Sequence, residues 1–224
     1  MNILVVNGNP HEGGFIAGSL DIAAAHLAEN GAQVDRLNLR EANIADCRGC
    51  FTCLRTGRCV LRDDMDDIVA RMRRADGFVV GASVRNGYVT ALYKRFYERI
   101  TYPLGFPLHL EEKHTLALSC VGLMGGKKIA RNLLGLQDVM HTRLSGFLFR
   151  AVGIPAKVEP AALRPELTRA ADRLLVDIRA QRPRSFGQRA AYALDRTVMR
   201  RFVFARNPEL YAAVIESYRE KNYL

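Results

Sequence analysis

Nowhere in the 224-residue sequence is there a run of 18 or more apolar residues, so no segment reads as a membrane-spanning helix. Met1 passes directly into Asn2-Ile3-Leu4-Val5-Val6 with neither a charged leader nor a small-residue cleavage site, and the chain is expected to be cytoplasmic. Lysine is scarce: of 33 basic residues only six are Lys and 27 are Arg, within a formal net charge of +10. That surplus favours anionic partners but reads first as a solvated basic surface, because charge bears on solubility and association more than on fold. No helix-turn-helix pattern, paired zinc-finger spacing or aromatic RNA-binding signature accompanies it, so neither nucleic acid nor a membrane is an expected partner. Internal repeats and low-complexity tracts are missing too. Cysteines number five. In a reducing compartment, clustered thiols point to metal or redox chemistry more than to disulfides.

What is present alternates. Apolar, β-branched runs at Ile3–Val6, Val34–Leu39, Phe78–Val80 and Leu116–Val121 predict strands, and a short run at Ala156–Glu159 predicts a fifth. Amphipathic patterns predict helices over Ile16–Glu29, Asp64–Arg74, Val89–Arg99, Lys127–Met140 and Glu166–Arg179. Such alternation implies an α/β fold with a doubly wound five-stranded parallel sheet, helices on both faces, and a ligand at the carboxyl ends of the strands. At 49% hydrophobic residues, the length suits one core plus an appendage. One domain is therefore expected over residues 1–180, then a hinge at Gln181-Arg182-Pro183-Arg184-Ser185 and a helical C-terminal extension over 186–224. In the extension, patterns run from Phe186 to Ala205 and from Pro208 to Tyr223, and Asn207-Pro208-Glu209 predicts an N-cap, first helical residue and early acid. Their apolar faces, carried by Leu194, Val198 and Phe202 and by Val214 and Tyr218 among others, need a cover. A subunit contact is expected ahead of packing on the same domain.

Three loops follow strand candidates at one end of the sheet. The first is Gly8-Asn9-Pro10-His11-Glu12-Gly13-Gly14, the second Ser83-Val84-Arg85-Asn86-Gly87-Tyr88 and the third Gly122-Leu123-Met124-Gly125-Gly126. Glycines permit positive φ and close backbone approach, so that successive N–H groups and a helix N-terminus can face a phosphate. The first loop has neither the dinucleotide G-x-G-x-x-G nor the P-loop spacing, and taken alone it also fits a tight structural turn. Asn86 and Tyr88 suit contact with a planar aromatic ligand, and Tyr88 equally suits packing at the rim.

The most specific signal is Cys47-Arg-Gly-Cys50-Phe-Thr-Cys53-Leu-Arg-Thr-Gly-Arg-Cys59. Three thiolates at this close spacing can take three corners of an iron–sulfur cubane, with Cys59 closing the fourth. A four-thiolate zinc site stays open as an alternative, although structural zinc usually draws on two separated pairs. Cys120 lies in a strand pattern and reads as an inert core thiol. Asp63 and Asp64 read as N-cap residues of the next helix. The four His outside the loops have no evident partner.

Over about residues 1–180 the chain resembles the iron–sulfur flavoproteins of the NADPH-dependent FMN reductase family in the flavodoxin-like superfamily. The likeness is carried by Gly8-Asn9-Pro10 with Gly13-Gly14, by the cysteine string running into Asp63-Asp64-Met65, and by Asn86-Gly87 followed by Thr90 to Phe96. It implies a flavodoxin-like fold, FMN in the three loops, a [4Fe-4S] cluster on Cys47, Cys50, Cys53 and Cys59, and a homodimer or homotetramer. The implied flavin residues are Asn9, Pro10, His11, Gly13 and Gly14, then Ser83 through Tyr88, then Gly122, Gly125 and Gly126. The family's Gly-Ser-Pro reads Gly8-Asn9-Pro10 here, and its loop hydroxyl is replaced by Ile16, leaving Ser19 as a substitute phosphate contact. Where relatives carry Pro and an aromatic in the second loop, Ser83 and Arg85 stand.

The flavin would supply the chemistry, and no catalytic side chain is assigned. Backbone N–H groups near Asn86-Gly87 and Gly125-Gly126 are expected to stabilise reduced flavin. The first expectation is an oxidoreductase moving electrons between NAD(P)H or ferredoxin and a small acceptor such as a quinone or flavin. An electron carrier without its own substrate ranks second. An aminodeoxychorismate dehydrogenase-like enzyme ranks third, with Arg85 suited to a carboxylated substrate.

Overall fold

In the computed structural model of the chain, which describes residues 1–11 and 13–224, a parallel sheet forms the centre. Strands β1 (Asn2–Asn7), β3 (Gly77–Arg85) and β5 (His114–Val121) are buried along nearly their whole length. Burial on both faces is why they read as continuous apolar runs instead of alternating ones. β2 (Gln33–Asn38) lies outside β1, and β6 (Arg143–Ala151) closes the far edge. The order is β2-β1-β3-β5-β6 with each neighbouring pair parallel, while the two-residue β4 (Tyr88–Val89) folds back antiparallel onto the end of β3.

Helices seal both faces. On one, Ile16, Leu20 and Leu27 of α1 (Phe15–Glu29) meet Leu167, Ala171 and Leu174 of α6 (Arg164–Arg179) above Val5, Val79 and Leu118. On the other, α3 (Met65–Arg74), α4 (Ala91–Ile100) and α5 (Lys127–Leu134) bury Ile68, Met72, Phe96 and Leu133. Each such side chain contributes about 1.5–3 kcal/mol on burial. With both faces closed, the strand ends are where a ligand meets the sheet.

Three sequence expectations are corrected. The fifth strand is Arg143–Ala151, whereas Ala156–Glu159 is turn and coil. As an edge strand interrupted by Gly146 and with most side chains only half-buried, it lacks the unbroken apolar run of the inner strands, and its register with β5 shifts between Thr115 and Leu116. The helix predicted to Met140 ends at Leu134, because Leu136 turns to φ 49° and its carbonyl, with that of Gly135, accepts the Thr142 hydroxyl. Val89 belongs to β4, and the following helix starts instead at Ala91, capped by Thr90, whose Oγ1 accepts the Tyr93 N–H at 3.2 Å.

Beyond Ala180 come α7 (Phe186–Val198), a π-helical continuation Met199–Phe204 and α8 (Ala212–Glu220). Asn207-Pro208-Glu209 forms a turn, closed by Tyr211 N–H to the Asn207 carbonyl, and α8 begins only after it. Phe204, Val214 and Tyr218 pack with Leu108 and with Leu54 of a short helix α2 (Thr52–Thr56) in a third apolar cluster. Buried Glu111 fastens this packing. Its carboxylate accepts from Lys221 Nζ at 2.6 Å, from Tyr223 Oη at 3.0 Å and from Tyr192 Oη. The inner face of the extension, with Val214 and Tyr218, is thus covered by its own chain. The outer face of α7 and its continuation is not: Phe186, Leu194, Val198 and Phe202 are all exposed.

Candidate functional site

At the carboxyl ends of the inner strands, the three glycine-rich loops meet around a cavity of about 840 Å³ lined by His11 and by residues 83–87, 120–124 and 152–156. The first loop is anchored before it reaches the cavity. Gly8 donates its N–H to the Gly81 carbonyl at 2.7 Å and receives the Thr90 hydroxyl at 2.6 Å on its own carbonyl. A Cβ on Gly8 would stand 2.7 Å from Tyr93 Cδ2, which leaves room for no other residue. Asn9 then joins the first loop to the second, its Oδ1 accepting the Ser83 N–H at 3.1 Å and the Ser83 hydroxyl at 2.8 Å. Asn9 and Ser83 are buried, so their polar atoms hold the cavity wall together instead of lining it freely.

Beyond Asn9, Pro10 is half-buried, and His11 and Gly13 are exposed. Glu12 lies outside the described residues. Gly14 is the N-cap of α1, and among the described residues no side chain caps that helix. Its first N–H groups are therefore available to an anion. A Cβ on Gly13 would meet nothing within 4 Å. Ser19 is not part of this cradle: it is 2% exposed and its Oγ donates back to the Phe15 carbonyl at 2.7 Å. The reason is position, since Ser19 sits a full turn inside α1 on its buried side.

The second loop is a two-residue hairpin turn. Asn86 at φ 50° and Gly87 at φ 77° both occupy the left-handed region, which gives an Asn-Gly reversal matched to strand twist. Arg85 and Tyr88 flank it and are exposed, and Val84 is buried. In the third loop, Gly125 and Gly126 also have positive φ. A Cβ at Gly126 would collide with the Val84 side chain, whereas at Gly125 it would meet open space. Gly122 packs instead against Ile154, whose Cγ1 lies 2.6 Å from where its Cβ would be. Exposed Leu123 and Met124 of the third loop line the cavity as well, and the segment 152–156 is a wall that the three loops expected from the sequence do not include. Recognition of β6 as the fifth strand would have found that segment, because it follows β6 at the same end of the sheet. Cys120 is buried and its thiol is pushed up to about 11 by burial, against the nearby charge of Arg85.

The second candidate site is the cysteine loop. Cys47, Cys50, Cys53 and Cys59 line one small cavity with Phe51, Val60, Leu61 and Tyr102, and Phe51 and Tyr102 meet edge-on at 5.3 Å. Positive φ at Gly49, Phe51 and Gly57 curls the loop around that space. Burial, followed by the charge of Cys59 and then of Cys47 and Cys50, pushes the Cys53 thiol up to about 11. The four sulfurs thus feel one another. The Thr52 N–H and hydroxyl hold the exposed Cys50 thiol below its ordinary value. Among the described residues, no three His, Cys, Asp or Glu side chains converge as a set for one metal ion.

Behind the loop, Asp63 does more than begin α3. It accepts the Met65 N–H at 3.2 Å and the Ala45 N–H at 2.9 Å, and it pairs with Arg99. Burial opposes its charge, but Arg99 and the two N–H groups prevail and hold the carboxyl below its ordinary value. Asp64 accepts the Asn43 N–H at 2.7 Å. Of the histidines without an evident partner in the sequence, His26 meets Asp172 at 2.6 Å, His141 meets Asp195 at 3.4 Å and His114 lies 3.2 Å from the Arg182 carbonyl.

Residues 1–146 match the family described as NADPH-dependent FMN reductase. An iron-sulfur flavoprotein of Methanosarcina thermophila is 30% identical over 141 residues, covering 63% of this chain and 73% of that protein. An iron-sulfur flavoprotein of Archaeoglobus fulgidus is 32% identical over 114 residues, and the match spans about half of each chain, 51%. A solved flavodoxin from the domain Archaea superposes with a TM-score of 0.53 at 9% identity, over 80% of this chain and 99% of that one, a likeness of fold. Among the described residues no helix is long and apolar enough to cross a membrane.

Proposed function

The chain belongs to the NADPH-dependent FMN reductase family, and from that premise we propose that it is an FMN-dependent oxidoreductase moving electrons from NAD(P)H or a ferredoxin to a small acceptor such as a quinone or flavin. The observation that carries this reading is the 840 Å³ cavity at the strand ends, with His11, Gly87 and Met124 in its wall, open glycine positions at Gly87 and, next to these wall segments in the chain, at Gly13 and Gly125, and the start of α1 after Gly14, which no side chain caps among the described residues. That combination fits a phosphate joined to a flat ring system. FMN bound there supplies hydride and single-electron chemistry. The protein's part is to hold the phosphate at Gly13, Gly14 and the first turn of α1, and to keep the loops in place through the Asn9–Ser83 pair. Backbone N–H groups near Asn86-Gly87 and Gly125-Gly126 would face the ring atoms that gain negative charge on reduction. Exposed Arg85 at the cavity wall favours a second reading, a dehydrogenase of a small carboxylated metabolite.

The same proposal places a [4Fe-4S] cluster on Cys47, Cys50, Cys53 and Cys59. Four sulfurs spread around one apolar-walled space suit a body with a ligand at each corner better than a single zinc, whose sulfurs stand ~2.3 Å from the metal. Cytoplasmic location and a homodimer or homotetramer complete the reading. Anaerobically purified protein is expected to release stoichiometric FMN and to contain iron and sulfide. Recovery of FAD or of no flavin after reconstitution sinks the flavin site, and one zinc per chain without sulfide sinks the cluster.

A further inference from the structure

Arg99 is an expensive residue to bury. Its side chain is 1% exposed and that of its partner Asp63 is 3% exposed, and such a pair commonly does no better than well-packed apolar residues for stability. Both terminal nitrogens of the guanidinium are also fully directed. Nη1 donates to the Asp63 carboxylate at 2.6 Å and to the Ala45 carbonyl at 2.7 Å, while Nη2 donates to the other Asp63 oxygen at 3.0 Å and to Cys59 Sγ at 3.5 Å. Asp63 and Ala45 thus fix the plane of the fork, and the second N–H of Nη2 is aimed at a sulfur of the cysteine loop. Cys59 is the sulfur set apart from the compact triple of Cys47, Cys50 and Cys53 by five intervening residues.

We propose that Arg99 is a positioning residue of the cysteine site, whose N–H to Cys59 raises the electron affinity of the cluster, with Asp63 setting how much of the guanidinium charge that site feels. The proposal rests on the iron–sulfur reading above. A donor on a cluster sulfur favours the reduced, more negative state. Asp63 counters the positive charge at longer range, so the two partners act in opposite directions on the cluster even though both hold the same loop. Lysine is no equivalent, because a single ammonium cannot serve a carboxylate, a carbonyl and a sulfur in one fixed plane.

The test is a mediated redox titration of the anaerobic holoprotein, following the cluster by electron paramagnetic resonance in the wild type, Arg99→Gln and Asp63→Asn, with iron and FMN content measured alongside. Arg99→Gln is expected to lower the reduced-to-oxidised ratio at a fixed poise at least tenfold, a 59 mV move to the negative for one electron. Asp63→Asn keeps the guanidinium and removes its counter-charge, and it is expected to move the potential to the positive. A purely structural role for the pair displaces both variants in the same direction or neither, and either result overturns the proposal. If Arg99→Gln fails to retain iron, Asp63→Asn decides alone through the sign of its shift. A wild-type protein without a reducible cluster removes the iron–sulfur reading and this proposal together, whereas a reducible cluster indifferent to both substitutions removes this proposal only.

Discussion

The two candidate sites are built in different ways. The strand-end site is made largely by backbone: two turns with positive φ, a helix start that no side chain caps among the described residues, and a few bonds from short side chains, Asn9 with Ser83 and Thr90 with Gly8, that tie one loop to the next. The cysteine end, with the extension packed behind it, is made by long charged side chains that reach buried partners. Glu111 and Lys221 are 110 positions apart and Arg99 and Cys59 are 40 apart. A backbone site fails when a Cβ is added, whereas a side-chain site fails when one charge is removed.

The largest effect is expected at the side-chain end. Glu111→Gln leaves Lys221 without its counter-charge, and breaking one side of a buried pair costs about 3–5 kcal/mol. Thermal unfolding and limited proteolysis should show a less stable protein with a loosened extension, while the strand-end cavity is unaffected at temperatures where the domain stays folded. The same residue predicts a pH dependence. Burial raises the Glu111 carboxyl, but Lys221, Tyr192 and Tyr223 outweigh it and hold it below the ordinary 4.5. Its contribution is therefore complete above the ordinary value and is lost as pH falls through the lowered one. Melts of the wild type should approach those of Glu111→Gln in acid, and parallel curves down to pH 3 would rule this out.

Gly126→Ala attacks the backbone end. The added methyl collides with Val84 at φ 69°, a strain of about 1–3 kcal/mol, and much of it should appear as flavin affinity weakened about tenfold in a fluorescence titration. Retention of FMN at wild-type affinity would show that the second and third loops need not touch. The smallest effect on stability is expected outside both sites: Leu194→Asp, on the exposed face of α7, should change stability by less than about 0.5 kcal/mol. If that face covers a second copy of the chain, the substitution nonetheless moves sedimentation toward monomer. An unchanged oligomer would place the contact elsewhere.

This difference in construction also decides what could be read from the sequence. Inner strands buried on both faces announce themselves as apolar runs, so Ile3–Val6 and Leu116–Val121 were legible. The glycines of the three loops and the spacing of the cysteines were legible for the same reason, since each is a local pattern. β6 was not, because its side chains are half-buried and Gly146 interrupts it; the wall at 152–156 was missed with it. Ser19 misled because a hydroxyl near a loop looks available until the helix turns it inward. Nothing local marks Glu111 or Arg99 as special. Their partners lie far along the chain, and only the fold brings them together.

β6 carries one more consequence. Its core, Leu144-Ser145-Gly146-Phe147-Leu148-Phe149, lies at the margin of the sheet, where among the described residues the outer row of backbone groups faces no further strand. An apolar strand in that position is a template for pairing with another molecule and for aggregation. Arg143 and Arg150 bracket the segment with positive charge, Arg150 in a pair with Glu166 and Arg143 reaching the Gln181 carbonyl. The shifted register at Thr115 and Leu116 breaks the regularity an incoming strand would copy. Flanking charge and a broken register are features that keep an apolar edge from acting as such a template.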